Sequence, residues 1–320
     1  MKILLIRFSS IGDIVMTSPI IRCVRNQYSN TEVHFATKKQ FEGILKHNPN
    51  IDKLHLLGDN WQEFIEQFGS YDLVFDMHKN LRTRRLINSI KAKKVYTYNK
   101  RNIDKWLLVN LKLNRLNGYS VVDNYFDFFP IKNDGYGLDY YLNPNADRTE
   151  LNVQLPDKYV AIALGGRFKT KQLNFNRLRE LIGSIELPVV LLGGKTERTL
   201  AGGVTSAKAH GQIINLVDKI SLEESAFVVS KAHKVISHDT GLMHITAAFG
   251  KNMAVLWGNT VKELGFAPYY KKNTVADVRH FERNDLKCRP CSKLGYEKCP
   301  KVHHECMHYD FQEIGEWANL

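Results

Sequence analysis

The chain has 320 residues, 43% hydrophobic and 24% charged, with a formal charge of +12 and a pI near 9.3. That length favours two compact units over one, the composition excludes a disordered or low-complexity chain, and no apolar run approaches the roughly 18 to 20 residues that cross a bilayer. The charge calls for an anionic partner; the basic residues are dispersed and carry no zinc-finger or RNA-reading motif, which favours a phosphorylated substrate over nucleic acid. Arg7 interrupts the N-terminal apolar stretch too early for a signal peptide, so the expected address is cytoplasmic.

Strand-sized apolar runs alternate with amphipathic stretches from end to end, the pattern of parallel sheets covered by helices, an α/β class. Strands are expected at Lys2–Arg7, Glu32–Ala36, Lys53–Leu57, Leu73–Asp76 and Lys94–Tyr98, with a helix at Ile14–Asn26 that Pro19 must start late or kink. The polar stretch Asn143–Asp147 divides the chain into units 1–150 and 151–320. The second unit continues with strands at Lys158–Leu164, Val189–Leu192, Gln212–Leu216, Lys234–Ser237 and Met253–Trp257, and ends in a helix over Tyr309–Trp317. Two such sheets leave a cleft between them, and ligands of open α/β sheets bind at the carboxyl ends of the strands.

The loops after the strands carry the chemistry. After the first strand, Ser9-Ser10-Ile11-Gly12-Asp13 sets a carboxylate at a helix start, where it is either a cap or a general base on a rigid mount. After Asp76, a basic segment with His78, Lys79, Arg82, Arg84 and Arg85 is either a solvated face or a site for an acidic acceptor, since guanidinium forks pair with such groups. Gly165-Gly166 with Arg167, Lys169 and Lys171 would let a backbone approach a phosphate and neutralise it, without Walker A spacing. After Gly193-Gly194, Glu197 sits in a first helical turn, where a carboxylate is favoured by the dipole or accepts from ribose hydroxyls. Ser237-His238-Asp239-Thr240-Gly241-Leu242-Met243-His244 is the strongest of these loops: the free amides and the Thr240 hydroxyl at the start of the following helix make an anion site, and Gly241 keeps its wall low for a diphosphate. Asp239 there needs a cation or hydroxyl to balance its charge, and His244 lies one turn further on. Ser221 and Glu224 fit a capping box.

Together, Ser10-Ile11-Gly12-Asp13 with Pro19, and His238-Asp239-Thr240-Gly241-Leu242-Met243-His244-Ile245-Thr246-Ala247-Ala248, resemble the lipopolysaccharide heptosyltransferases of glycosyltransferase family 9, over most of the chain. The resemblance implies a GT-B architecture of two Rossmann-like units, with the last helix crossing back onto the first. It also implies an inverting transfer without obligatory metal, from a nucleotide-activated heptose, ADP-heptose by family expectation, to the lipopolysaccharide inner core. By position, Asp13 corresponds to the base, Lys171 to the lysine meeting the donor diphosphate, and Glu197 to the acid near the donor ribose. Gly166, Asp239, Thr240, Gly241 and His244 fall on the donor side, and Ser10, Gly12, Lys79 and Arg82 on the acceptor side.

Cys288, Cys291, Cys299 and Cys306 supply the four thiolates of a structural zinc site, with uneven spacing; reduced thiols are the alternative. A basic, apolar stretch at Lys105, Trp106, Leu107 and Leu108 either packs inside or touches the inner membrane face. Two other functions compete: a nucleotide-sugar epimerase sharing the donor pocket, and a non-enzymatic protein that binds nucleic acid or membrane through its charge.

Overall fold

The computed structural model describes residues 1–144, 153–206 and 212–320. The first half contains strands β1 (Lys2–Ile6), β2 (Glu32–Lys38), β3 (Lys53–Leu57), β4 (Ser70–Asp76) and β5 (Lys91–Thr97), and helices α1 (Ile11–Val15), α2 (Ser18–Gln27), α3 (Trp61–Glu66), α4 (Leu81–Ser89), α5 (Asn102–Leu111) and α6 (Val121–Phe128). The second half contains β6 (Val160–Ala163), β7 (Val189–Leu192), β8 (Ile213–Asn215), β9 (Lys234–His238), β10 (Met253–Trp257) and β11 (Val278–Glu282), with α7 (Phe175–Gly183), α8 (Arg198–Ser206), α9 (Leu222–Lys231), α10 (Gly241–Ala248) and α11 (Phe311–Asn319). Each half forms one parallel sheet, ordered β3-β2-β1-β4-β5 and β11-β10-β9-β6-β7-β8. β6, β7 and β10 are buried at every position, which is why they read as unbroken apolar runs: both faces are covered by helices.

Three expectations change. The helix expected over Ile14–Asn26 is two helices, broken at Met16–Thr17, and Pro19 lies in the first turn of α2, where its missing amide costs nothing. β11 was not expected; it is an edge strand whose Arg279 and His280 interrupt the apolar pattern. The terminal helix does not cross back to the first half. Phe311, Ile314 and Trp317 of α11 are buried with Leu178, Leu181 and Ile236, and a side chain at Gly315 would meet Ser184 at 2.4 Å, so its apolar face completes the cover of the second sheet beside α7. The proposed boundary at 150/151 lies outside the described residues.

Both sheets reverse their winding once. In the first, β1 leads to β2 and β3 on one side while β4 and β5 lie on the other; in the second, β6 leads to β7 and β8 while β9 to β11 lie opposite. The crevices at these switch points open between the loops after β1 and β4, and between those after β6 and β9. The two halves meet where α1 lies on α10. A Cβ on Gly12 would stand 2.5 Å from His244 Cδ2, and one on Gly241 would stand 2.6 Å from Ile11 Cγ2. These two glycines therefore let the helix starts of opposite halves touch.

Candidate active site

At the first switch point, Ser10 caps α1 and Asp13 is the third helical residue, reaching back to it. Asp13 Oδ2 accepts from Ser10 N–H at 3.1 Å and from Ser10 Oγ at 2.6 Å, while Oδ1 lies 2.5 Å from the guanidinium of Arg7. The capping expectation thus holds in kind, with the roles of Ser10 and Asp13 exchanged. Arg7 is 7% exposed and further held by the carbonyls of Ser9 and Met77 and by the hydroxyls of Tyr98 and Tyr125. Burial disfavours ionisation of Asp13, but the Arg7 charge and the Ser10 hydrogen bonds outweigh it and hold the carboxyl below the usual carboxylate range. His78, from the loop after β4, accepts from Phe8 N–H at 3.0 Å; burial, with the charges of Arg7 and Lys100, pushes it down to about 3. Asp13 is thus a fixed, ionised carboxylate beside a neutral imidazole.

The second switch point joins the loops after β6 and β9 through an ion pair. Lys171, at the end of a single 3-10 turn at Lys169–Lys171, places Nζ 2.5 Å from Asp239 Oδ2, which also accepts from Thr260 Oγ1 at 2.9 Å. Asp239 therefore has the cation and the hydroxyl its charge needs. Thr240 precedes α10 without bonding its amides through its side chain, leaving the helix start available to an anion. A Cβ on Gly166 would lie 3.6 Å from Thr240 Cγ2 and 3.7 Å from Lys171 Cβ, so these three line one small space.

Glu197 is placed differently from a ribose ligand. It is 2% exposed, and its oxygens accept from Gln172 Nε2 at 2.9 Å, Thr196 Oγ1 at 2.5 Å and Gly194 N–H at 2.9 Å. With Gln172 also donating to Gly166 O at 2.7 Å, it ties the glycine loops after β6 and β7 together. His244, 3% exposed, sits under Gly12 between the two clusters; burial pushes it down to about 4 against the charges of Asp239 and Asp13, and its Nδ1 has no hydrogen-bond partner among the described residues. His238 is a structural residue, accepting from Leu173 N–H at 3.3 Å with its other ring nitrogen at Ala163 O.

The basic segment after β4 does not form one patch. Lys79 is exposed and lines a surface groove of about 540 Å³ with Asp76, Asn80, Arg84 and Thr97. Arg82 is exposed near His78, and Arg85 turns away to stack on Trp61 at 4.7 Å. The four cysteines of the expected zinc site lie within electrostatic reach of one another but do not close into one. Cys306 is buried in the core of the second sheet with Met307 and Tyr309, Cys288 lies 3.9 Å from His303 Nε2, and among the described residues no three His, Cys, Asp or Glu side chains converge as a metal site. The residues that sequence reasoning passed over are Arg7, Gln172 and Thr260. Only Arg7 left a signal, a cation directly after a strand beside a catalytic-type loop.

Two parallel sheets that meet through α1 and α10, each with a charged cluster at its switch point, form the GT-B architecture, which serves enzymes that act on nucleotide-activated sugars. The model of glycosyltransferase family 9 (heptosyltransferase) matches residues 62–296, and the chain belongs to that family. Lipopolysaccharide heptosyltransferase 1 of Campylobacter coli is 24% identical, over 89% of this chain and 94% of that protein. The fold is similar to that of a family 9 glycosyl transferase from Veillonella parvula, at a TM-score of 0.74 and 15% identity over 99% of this chain and 95% of that one. It is also similar to the E. coli heptosyltransferase WaaC solved with ADP, at a TM-score of 0.66 and 20% identity over 88% and 93%. Family membership favours transfer over the epimerase and non-enzymatic readings. The matched span includes Lys171 and Asp239 and begins after Asp13.

Proposed function

We propose that this chain is a cytoplasmic enzyme that transfers heptose from a nucleotide-diphosphate heptose, ADP-heptose in the first instance, to a lipopolysaccharide inner-core acceptor, with inversion at the anomeric carbon. The observation that carries this reading is the pairing of an ionised Asp13 on α1 with the Lys171–Asp239–Thr240 cluster at α10, on helices that touch. Asp13 takes the proton of the acceptor hydroxyl as that oxygen bonds to the anomeric carbon from the face opposite the diphosphate. A weak base suffices, because the hydroxyl becomes acidic only as the new bond forms at an oxocarbenium-like centre. The bond to the diphosphate breaks on the other face, where Lys171 and the amides of Thr240 and Gly241 meet the growing charge. Gly166 gives the phosphates room, Glu197 keeps the glycine loops in place, and His244 supports the contact between the halves. Ser10 fixes Asp13, Gly12 admits α10, and Lys79 and Arg82 offer charge to the acceptor.

Thermal melting against a panel of nucleotide diphosphates tests the donor half without an acceptor, since a ligand of the folded state raises the melting temperature. ADP is expected to raise it more than UDP or GDP; no shift with any of them would contradict the reading. The cysteine loop is read as reduced thiols, so elemental analysis of protein purified without chelator should find less than one metal ion per chain, and one zinc per chain would overturn this. Peripheral contact with an anionic membrane is proposed for the outer face of α5, where Ile103 is 77% and Trp106 55% exposed. No helix among the described residues is long and apolar enough to cross a membrane. Sedimentation with anionic vesicles is the check, and equal partition to neutral ones would reject that contact.

A further inference from the structure

Lys105 stands in α5 between the exposed Ile103 and Trp106, yet it is only 6% exposed. Its Nζ lies 5.0 Å from the ring centroid of Tyr119 and 4.6 Å from that of Phe266. Tyr119 belongs to the first half. Phe266 follows Gly265 of the second, whose carbonyl accepts from Val121 N–H at 3.0 Å, so the lysine sits at a junction of the two halves. The rings offset part of the cost of removing an ammonium from water. No carboxylate or carbonyl among the described residues hydrogen-bonds to Nζ, and Nζ is not among the unpartnered atoms sealed from solvent. Asp104, its neighbour in sequence, is taken by Arg101 at 2.6 Å. Burial pushes the ammonium down to about 8; the charge of Asp13 opposes this, and those of Lys293, Arg7 and Lys100 add to it. Packing alone would be served better by an apolar side chain, because an ammonium on a buried stem with no anionic partner still carries part of the desolvation penalty.

We propose that Lys105, with Lys100 and Lys293 as outlying cations, determines acceptor specificity by binding an anionic group of the acceptor and so setting its hydroxyl beside Asp13. The group is a carboxylate or a phosphate, both of which pair with an ammonium that the aromatic rings pre-position. This rests on the transferase reading above and deepens it, adding to the charge offered by Lys79 and Arg82 a specific acceptor contact at the junction of the halves. The charge is present below about pH 8 and lost above it, while Tyr119, the titratable group packed on the lysine, is held above its ordinary range by burial.

The test compares wild type, Lys105→Met, Lys105→Gln and Lys105→Arg on a deacylated inner-core saccharide, its carboxyl-reduced form and its dephosphorylated form. Lys105→Met and Lys105→Gln should raise the acceptor KM by roughly tenfold or more and leave the donor KM within about twofold, with Lys105→Arg recovering part of the loss. Wild type should show the same loss on one trimmed saccharide, the carboxyl-reduced form identifying a carboxylate and the dephosphorylated form a phosphate, and the Met variant should lose nothing more on it. Wild-type kcat/KM for the acceptor should fall above about pH 8, and that fall should be absent in Lys105→Met. An unchanged acceptor KM in a folded variant, or a rise in donor KM instead, would overturn the proposal. Equilibrium binding of the saccharide needs no turnover: binding that depends on Lys105 without transfer would overturn the transferase reading and spare the contact.

Discussion

The two switch points are built on one plan and used for opposite charges. In each, a loop after the first strand of its sheet is tied to the loop that follows the switch: Arg7 to Met77 and His78 to Phe8 in the first half, Lys171 to Asp239 in the second. In the first half the cation is the sealed partner, 8% exposed in its side chain, and the carboxylate is the more open one at 21%. In the second half both partners are similarly covered, and the open groups beside them are the amides at the start of α10. The difference teaches where each site is aimed. A buried cation beneath an accessible carboxylate prepares a place to deliver a proton; a lysine beside a free helix start prepares a place for an anion.

Asp13→Asn separates the two most sharply. It should lower kcat by about 10²- to 10⁴-fold, the range of a lost general base, while ADP still raises the melting temperature as in wild type; kcat near the wild-type value would remove Asp13 from the reaction. Lys171→Ala should cost about 10²-fold in kcat and also weaken ADP binding by calorimetry, because it strips a cation from the anion side and leaves Asp239 unpaired. Unchanged affinity for ADP would break the assignment of that cluster to the donor.

Arg7→Met is expected to cost about tenfold in kcat by displacing Asp13 and to change the pH profile in a defined direction. With Arg7 present the carboxyl is depressed, so its ionised form persists as pH falls through the ordinary carboxylate range. Without Arg7 it protonates at higher pH, and the acid limb of kcat should move upward. The same sign holds for stability: the contribution of this pair is present above the unfolded pKa and lost as pH falls through the depressed one. A variant with an unmoved acid limb would show that Arg7 does not set the state of Asp13.

Gly12→Ala tests the junction between the halves. Its methyl would meet His244 at 2.5 Å, in a place with little room to yield, and should cost about 1–3 kcal/mol in a denaturant melt. The smallest effect is a control away from both sites. Ser221→Ala removes the cap of α9, whose Oγ accepts from Glu224 N–H at 3.2 Å, and should cost about 1 kcal/mol with kinetics unchanged.

Much of this is legible in the sequence. Lys53–Leu57, Val189–Leu192 and Met253–Trp257 are strands at the positions their apolar runs mark, and Ser221 with Glu224 forms the expected box. What failed to show depends on surroundings outside the local pattern. β11 is half-exposed at a sheet edge, where Arg279 is as acceptable as Val278. α11 is amphipathic, which says that it packs but not on which half. The site divides in the same way: Asp13, Lys171 and Asp239 stand in the segments that follow strands, which strand order makes conspicuous, whereas the reach of Arg7 to Met77 and the cage of Lys105 between Tyr119 and Phe266 exist only once distant segments meet. Glycines misled for a physical reason. A glycine next to an anion site and a glycine under a crossing helix look alike in sequence; Gly12 is of the second kind, and Gly241 has Ile11 packed over it at the start of α10.

The most direct measurement is product analysis of the purified protein with ADP-heptose and a deacylated inner-core saccharide, following released ADP and the anomeric configuration of the new linkage by NMR. Release of ADP in step with a saccharide one heptose longer, its linkage opposite in configuration to the donor, is the predicted result. Consumption of ADP-heptose without acceptor, retention of configuration, or no transfer from a protein that ADP stabilises would contradict the pairing of Asp13 with the donor cluster as an inverting site.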